Sequence, residues 1–371
     1  MIISSLRTTA FRNVADAAVN TAAQDVFLVG ENGQGKTNIL EALYFCAYAS
    51  SFRGVNDSEI AKHEQKDFST AIKTSDNEVL IKFERGKKTV FIDGKKIDGR
   101  KELLSVIPCI VFCHEDMEFV SGSPERQRWF FDQVLSLYDP VYLEDLRCYR
   151  RVLKSRNSVL KEYVQHKLSN PETLLDALDQ QCVVYGLRLM AKRETAARLF
   201  SAVFEELYQK VSGIAGVHVQ YAPSWKSLSE EEAADCLRKR RAREMAAGIS
   251  LSGPHRDRYV FARRLEDSSD ADHRSVDFAD TASTGQRRLL ALLLRVAQAK
   301  RFSVMTGRKP ILLLDDVLLE MDGEKRRRFL AALPDYDQAF YTFLPEEPFQ
   351  NYRKKDTLVY YVRNGSMEAA G

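Results

Sequence analysis

The N-terminal stretch alternates in the manner of strands: Ile2, Ile3 and Leu6 precede a polar interval at Arg12 and Asn13, and Val26-Phe27-Leu28-Val29 then forms a short apolar run. That run stops abruptly at Gly30. From Ile72 to Ile97 the pattern is strand-like again, and Asp93-Gly94 between Thr89-Val90-Phe91-Ile92 and Lys95-Lys96-Ile97 is a two-residue hairpin signal. Past Gly122-Ser123-Pro124 the period changes to that of helices, with long amphipathic stretches from about Glu125 to Val211. Leu174, Leu178, Cys182, Tyr185, Leu189, Ala196, Phe200, Val203, Leu207 and Val211 form a stripe predicting one long helix, or two end to end, packed on a core. The stripe is too short for an extended coiled coil, which needs sustained heptads. After Gly248 strands and loops return, followed by an apolar helix from Gln286 to about Arg301 and by Pro310-Ile311-Leu312-Leu313-Leu314, a buried-strand pattern that meets two acids. Strand material at both ends predicts an α/β domain built from residues 1–124 and 245–371, interrupted by a mainly helical insertion, 125–244.

Composition adds bounds rather than detail. With 44% hydrophobic residues, twenty Phe and fifteen Tyr, the 371-residue chain has material for a substantial core, which excludes a disordered chain. Fifty-five Lys and Arg against fifty-two Asp and Glu leave +3, too little to announce a nucleic-acid or membrane partner. No signal peptide or bilayer-length apolar run accompanies the six scattered cysteines, so a reducing cytoplasm is expected and disulfides are not. Cys109 and Cys113 beside His114 lack a second ligand pair at zinc spacing; buried thiols are the expectation.

The glycines after the apolar run belong to a motif. Gly30-Glu31-Asn32-Gly33-Gln34-Gly35-Lys36-Thr37 fits G-x-x-x-x-G-K-[ST], with a strand before it and Asn38-Ile39-Leu40-Glu41-Ala42-Leu43 opening a helix after it. Such a loop wraps backbone N–H groups around phosphates at the positive end of a helix. Lys36 would neutralise the β- and γ-phosphates of ATP and the Thr37 hydroxyl would ligate Mg²⁺. Far downstream, the run into Asp315-Asp316 ends a strand in acids, suiting Asp315 to Mg²⁺ and Asp316 to polarising an attacking water. A nucleoside triphosphatase is expected, and the 279 positions from Lys36 to Asp315 leave room for the insertion.

Ser283-Thr284-Gly285-Gln286 stands immediately before the apolar helix. Ser283 with Gln286 three residues on is a capping box, and that alone accounts for both. The same segment also resembles the signature motif of the ATP-binding-cassette superfamily, in which one subunit's motif meets the γ-phosphate held by the other. Phe11-Arg12-Asn13, the phosphate loop, Ser51-Phe52-Arg53, Gly122-Ser123-Pro124 with Arg128 and Asp132, and Ser252-Gly253-Pro254-His255-Arg256-Asp257 together resemble the RecF family of bacterial recombination-mediator ATPases. The resemblance runs from the N-terminus to about Thr342. It implies an ABC-type ATPase head carrying a helical lobe and no long coiled coil, working as a slow, DNA-stimulated ATPase switch. It implies that Gly30 to Thr37 hold the ATP phosphates, that Asp315 holds Mg²⁺, and that Lys36, Asp316 and Thr342 are catalytic, Thr342 at a γ-phosphate-sensing position. Arg12 and Asn13 would lie near the base, Ser283, Gly285 and Gln286 would form the trans signature, and Asp322 would belong to the segment linking two nucleotide sites. Leu319 before Glu320, Gln127 before Arg128, Arg258 after Asp257, and His114 before Glu115 depart from the family pattern.

The resemblance further implies double-stranded DNA, especially single-strand/double-strand junctions, an ATP-dependent homodimer, RecR and RecO as partners with RecA loading as the outcome, and a place at the nucleoid without a membrane. From Leu237 to Leu265, Arg238, Lys239, Arg240, Arg241, Arg243, Arg256, Arg258, Arg263 and Arg264 face only Glu244 and Asp257, a local balance of +7. Arg147, Arg150, Arg151, Lys154 and Arg156 add cations at helical spacing. Both clusters are candidate contacts to the phosphate backbone, and a solvated helix face is the other reading of each. The alternatives to a RecF-type clamp are a related ATPase in another pathway, or an assembly module that binds ATP with negligible turnover.

Overall fold

The computed structural model describes residues 1–98, 102–103, 106–226, 229–264, 275–319 and 321–370. Two compact units emerge, one from residues 1–116 with 294–371 and one from residues 117–293. This division differs from the expected one: the second unit runs on from the expected limit near 245 to Leu293 and includes a sheet as well as helices.

The first unit contains two six-stranded sheets. Strands β1 (Ile3–Thr9), β2 (Ala17–Asn20), β4 (Phe68–Thr74), β5 (Glu78–Glu84), β6 (Lys87–Ile92) and β7 (Lys95–Ile97) form an antiparallel sheet in the order β2-β1-β4-β5-β6-β7. The predicted Asp93-Gly94 turn closes its last hairpin with both residues at positive φ, 51° and 75°, as a type I′ turn requires. The other sheet has the order β15-β14-β3-β13-β12-β8, from β3 (Asp25–Val29), β8 (Cys109–Phe112), β12 (Ile311–Leu314), β13 (Gln338–Phe343), β14 (Leu358–Arg363) and β15 (Ser366–Ala369). Its strands pair in parallel except at β14–β15. Every residue of β3, β8, β12 and β13 is buried, which is why β8, β12 and residues 26–29 of β3 read as continuous apolar runs, while β13 also buries Gln338 and Thr342. Helix α1 (Lys36–Tyr48) leaves β3 through the phosphate loop and packs against β4, β5, β8 and β13, so it is apolar nearly all round.

In the second unit, α2 (Pro124–Ser136), α3 (Pro140–Val164), α4 (Glu172–Ser212) and α5 (Glu230–Ala247) accompany the antiparallel sheet β11-β10-β9, formed by β9 (Val217–Ala222), β10 (Arg258–Arg264) and β11 (Ser275–Asp277). Asp139 caps α3 through the Tyr142 amide, with Pro140 at the first helical position. The expected stripe lies on one 41-residue helix, α4, with one correction: Leu174 is 49% exposed and Leu175 takes the buried place. Helix α6 (Thr284–Thr306) begins in this unit and ends in the first, and α7 (Gly323–Ala332) follows β12. All six cysteines are free and four are buried. No helix among the described residues is long and apolar enough to cross a membrane.

Candidate functional site

Strand β3 delivers Gly30 to the C-terminal ends of the parallel strands, where its amide donates to the Phe343 carbonyl at 3.1 Å. Lys36 opens α1 and is almost wholly buried, its ammonium donating to the Gly30 and Glu31 carbonyls at 2.6 and 3.1 Å. Asn13 lies against the loop, donating to the Gly33 carbonyl at 3.4 Å and accepting from the Asn38 amide at 2.7 Å. Arg12 is gripped by the fully buried Glu41 through two bonds of 2.9 Å and by the Glu59 carbonyl at 2.8 Å. Ser51 and Arg53 close on the same Glu41 carboxylate, and Arg53 also reaches Asn38 at 3.0 Å. The structure thus brings the Phe-Arg-Asn and Ser-Phe-Arg segments to the loop, with Glu41 of α1 as their common anchor.

Of the two acids, Asp315 meets the loop. The Asp315 amide donates to the Phe112 carbonyl at 2.9 Å, and its carboxylate accepts the Thr37 hydroxyl at 2.9 Å. Burial, reinforced by the charge of Asp316, raises the Asp315 carboxyl to about 7. Asp316 adopts φ 49°, uncommon for a residue other than glycine. Thr342 stabilises that turn: its hydroxyl oxygen accepts from the Asp316 amide at 2.7 Å and lies 2.8 Å from the Asp316 carboxylate. Hard oxygen donors at Thr37 and Asp315, with Asp316 next in the chain, suit a magnesium ion, whose charge would favour the ionised carboxylate. Among the described residues no group of three or more His, Cys, Asp or Glu is placed to hold a metal, so such an ion would complete its shell from phosphates and water.

Two features escape motif reading. Glu347 accepts from the Leu344 amide at 2.8 Å, while its other oxygen is buried without a partner among the described residues. Burial pushes this carboxyl up, with Arg326, Asp316 and Lys36 as its charged surroundings. The Gln34 side chain, in a loop expected to meet phosphates through its backbone amides, accepts from the Asn364 amide at 2.7 Å. Asn364-Gly365 is itself a hairpin signal that could have been read in advance.

Ser283, Gly285 and Gln286 lie in the second unit. Ser283 and Gln286 form the reciprocal capping box, with bonds of 2.8 and 3.3 Å. Asp322 caps α7 through the Lys325 amide at 2.8 Å; Glu320 lies outside the described residues.

The cationic segments need correction. Arg156, counted on a surface face, is fully buried and bonded to Asp179, Glu244 and Ser250 at 2.6 to 2.7 Å. Arg241 is tied to Asp176 and Asp179 at 2.6 Å each. Arg238 and Lys239 pair with Asp235, and Arg264 with Glu205. Of the nine cations counted in residues 237–265, four therefore pair with acids outside that segment; Leu265 itself lies outside the described residues. Arg147, Arg150, Arg151 and Lys154 are exposed on α3 at the spacing of one face, with Arg147 near Glu144 and Arg150 near Asp132. On α5, Arg238, Lys239 and Arg240 are exposed.

The Gly-Pro-His-Arg-Asp block also proves to be internal wiring. Asp257 is buried and accepts from Arg193 at 2.8 Å, from the Tyr221 hydroxyl and from the Ser224 amide. Arg193 donates as well to Asp132 at 2.7 Å, and Arg128 to the Asp257 carbonyl at 2.8 Å.

The RecF/RecN/SMC N terminal domain family matches residues 2–367. The DNA replication and repair protein RecF of Treponema pallidum (strain Nichols) is 43% identical over 361 residues, 96% of this chain and 98% of its own. The structure of the recombination mediator protein RecF with ATP in the RecFOR pathway is similar at TM-score 0.85 and 24% identity, covering 100% of this chain and 98% of that one. The Smc head domain of Pyrococcus furiosus, bound to the C-terminal domain of ScpA, is similar at TM-score 0.53 and 15% identity, covering 100% and 96%. The fold is an ABC/SMC-type ATPase head, and no long coiled coil is found among the described residues.

Proposed function

The chain belongs to the RecF family, within the wider RecF/RecN/SMC N-terminal-domain family, and on that footing we propose that it is an ATP-dependent DNA-binding protein of replication and repair. The observation that carries the nucleotide part is the closure of Thr37 on Asp315, beside a phosphate loop whose lysine is already buried.

The residues divide the work. Lys36 exchanges its two backbone carbonyls for phosphate oxygens, a stronger charge-assisted interaction. A magnesium ion, when bound at Thr37 and Asp315, supplies positive charge at the transferring phosphoryl group. Asp316, fixed by Thr342, holds the proton of the attacking water at its carboxylate. Ser283, Gly285 and Gln286 complete the site from a second copy, so ATP closes two heads on duplex DNA near single-strand gaps. Slow hydrolysis reopens them and times the loading of RecA with RecO and RecR in the cytoplasm.

Sedimentation of the full chain with ATP, with ADP and without nucleotide tests this reading. A doubling of mass with ATP alone is expected, lost in Lys36→Met and prolonged in Asp316→Asn. One monomeric mass under all three conditions, at concentrations that saturate DNA binding, overturns the clamp.

A further inference from the structure

We infer that the Asn364-Gly365 turn between β14 and β15 belongs to the nucleotide site, setting the shape of the phosphate loop by holding Gln34 from behind. The inference rests on the ATP-binding reading above and adds to it residues that no phosphate-loop motif contains.

Two consecutive turn amides grip one loop residue. The Gly365 amide donates to the Gln34 carbonyl at 2.8 Å, and the Asn364 amide donates to Gln34 Oε1 at 2.7 Å. In a planar trans peptide the C=O and the following N–H point in opposite directions, and every described peptide bond is trans. A Gln34 carbonyl drawn to the turn therefore directs the Gly35 amide away from it, as a donor that the loop can offer to a phosphate oxygen. Without that grip the peptide between Gln34 and Gly35 is at liberty to flip and present its carbonyl to the phosphates.

The fit leaves no slack. Asn364 and Gly365 have φ of 48° and 79°, the left-handed pair of a type I′ turn. A Cβ on Gly365 would lie 1.8 Å from the Asn13 carbonyl oxygen, and one on Gly30 would lie 2.5 Å from the Val362 carbonyl oxygen. The Gly365 carbonyl accepts from the Ala15 amide at 2.9 Å, while Asn13 reaches Gly33. The loop is thus clasped between residues 13–15 and 362–365, all of the same compact unit. Asn364 and Gly365 are positioning residues, acting on phosphate through Gln34 and Gly35.

Calorimetric titration of the full chain with ATP and magnesium tests the assignment, with the melting temperature of each nucleotide-free variant measured alongside. Gly365→Ala puts a Cβ where none fits and strains a left-handed position, so ATP affinity should fall about tenfold or more. Asn364→Val, β-branched at positive φ, should weaken binding, whereas Asn364→Gly, which keeps the conformation and the amide, should stay within about twofold of the natural protein. Gln34→Met keeps every backbone bond and removes one acceptor; its affinity should drop about threefold to tenfold at an unchanged nucleotide-free melting temperature. If Gly365→Ala does not fold, Gln34→Met decides alone. Natural affinity in folded Gly365→Ala, or in Gln34→Met, overturns the inference. A natural protein that takes up no ATP overturns the nucleotide reading itself, and the inference with it.

Discussion

His255 lies 2.8 Å through Nδ1 from the Tyr149 hydroxyl and 3.2 Å through Nε2 from the Ser250 carbonyl, an arrangement satisfied by a neutral ring protonated at Nε2. Burial lowers its pKa from 6.5 to about 4. The unfolded chain accepts a proton near 6.5 that the folded protein refuses, so the stabilising term is complete above that pH and is lost as pH falls toward about 4. Between about pH 7 and pH 4 the natural protein should lose roughly 2 to 3 kcal/mol that His255→Gln does not, as urea denaturation at the two values will show. Arg193 offers a second check: Arg193→Met leaves Asp257 buried without its ion-pair partner and Asp132 with only the exposed Arg150, at 3.2 Å, as its cation, and should cost about 3 to 5 kcal/mol in the same measurement. These residues also show where sequence reading stops. Gly30 to Thr37 and Asp315 were legible because a phosphate loop and an acid-tipped strand are fixed by local spacing. The Gly-Pro-His-Arg-Asp block carries the family resemblance but no role that spacing could disclose, because its bonds to Tyr149 and Arg193 join residues 106 and 64 positions apart.

Among the elements, α3 carries the most specific expectation. Its exposed row of Arg147, Arg150, Arg151 and Lys154 can follow a phosphate backbone, so Arg151→Gln with Lys154→Gln should weaken duplex binding. The slope of log affinity against log salt should become shallower by about 0.9 for each phosphate that is no longer neutralised, read from titrations at several salt concentrations. Arg241→Gln should behave differently, lowering the melting temperature and leaving that slope unchanged, because this guanidinium serves Asp176 and Asp179. Periodicity found α4 as a long helix and its packed face, except at Leu174. The stripe counted only apolar side chains, whereas α4 buries Asp179 and Arg193 on the side it packs. Strand β9 went unseen although Val217, Val219 and Tyr221 alternate with His218 and Gln220 and are buried, a period-two signal only six residues long; it pairs with β10, some forty positions on.

At the scale of the whole molecule, the mixed sheet interleaves the two ends of the chain. Strands β3 and β8 precede the second unit in sequence, while β12, β13 and β14 follow it, and β13 lies directly beside β3. The second unit is by contrast one continuous stretch, residues 117–293. Forming the mixed sheet therefore means closing a loop of nearly the whole chain, a slow step compared with local pairing. In refolding from urea, protection of α3 and α4 amides should appear before protection of β3, and nucleotide binding should arise only with the latter; binding that leads the protection of β3 would contradict this order. The turn at Asn364-Gly365 belongs to the final hairpin of that sheet, and it is this turn that grips Gln34. During synthesis the phosphate loop leaves the ribosome 330 residues ahead of the turn that supports it. A nascent chain would thus carry the nucleotide motif through the synthesis of all the intervening residues without the means to hold ATP, and competence would arrive as a signal that the last hairpin of the mixed sheet has been made.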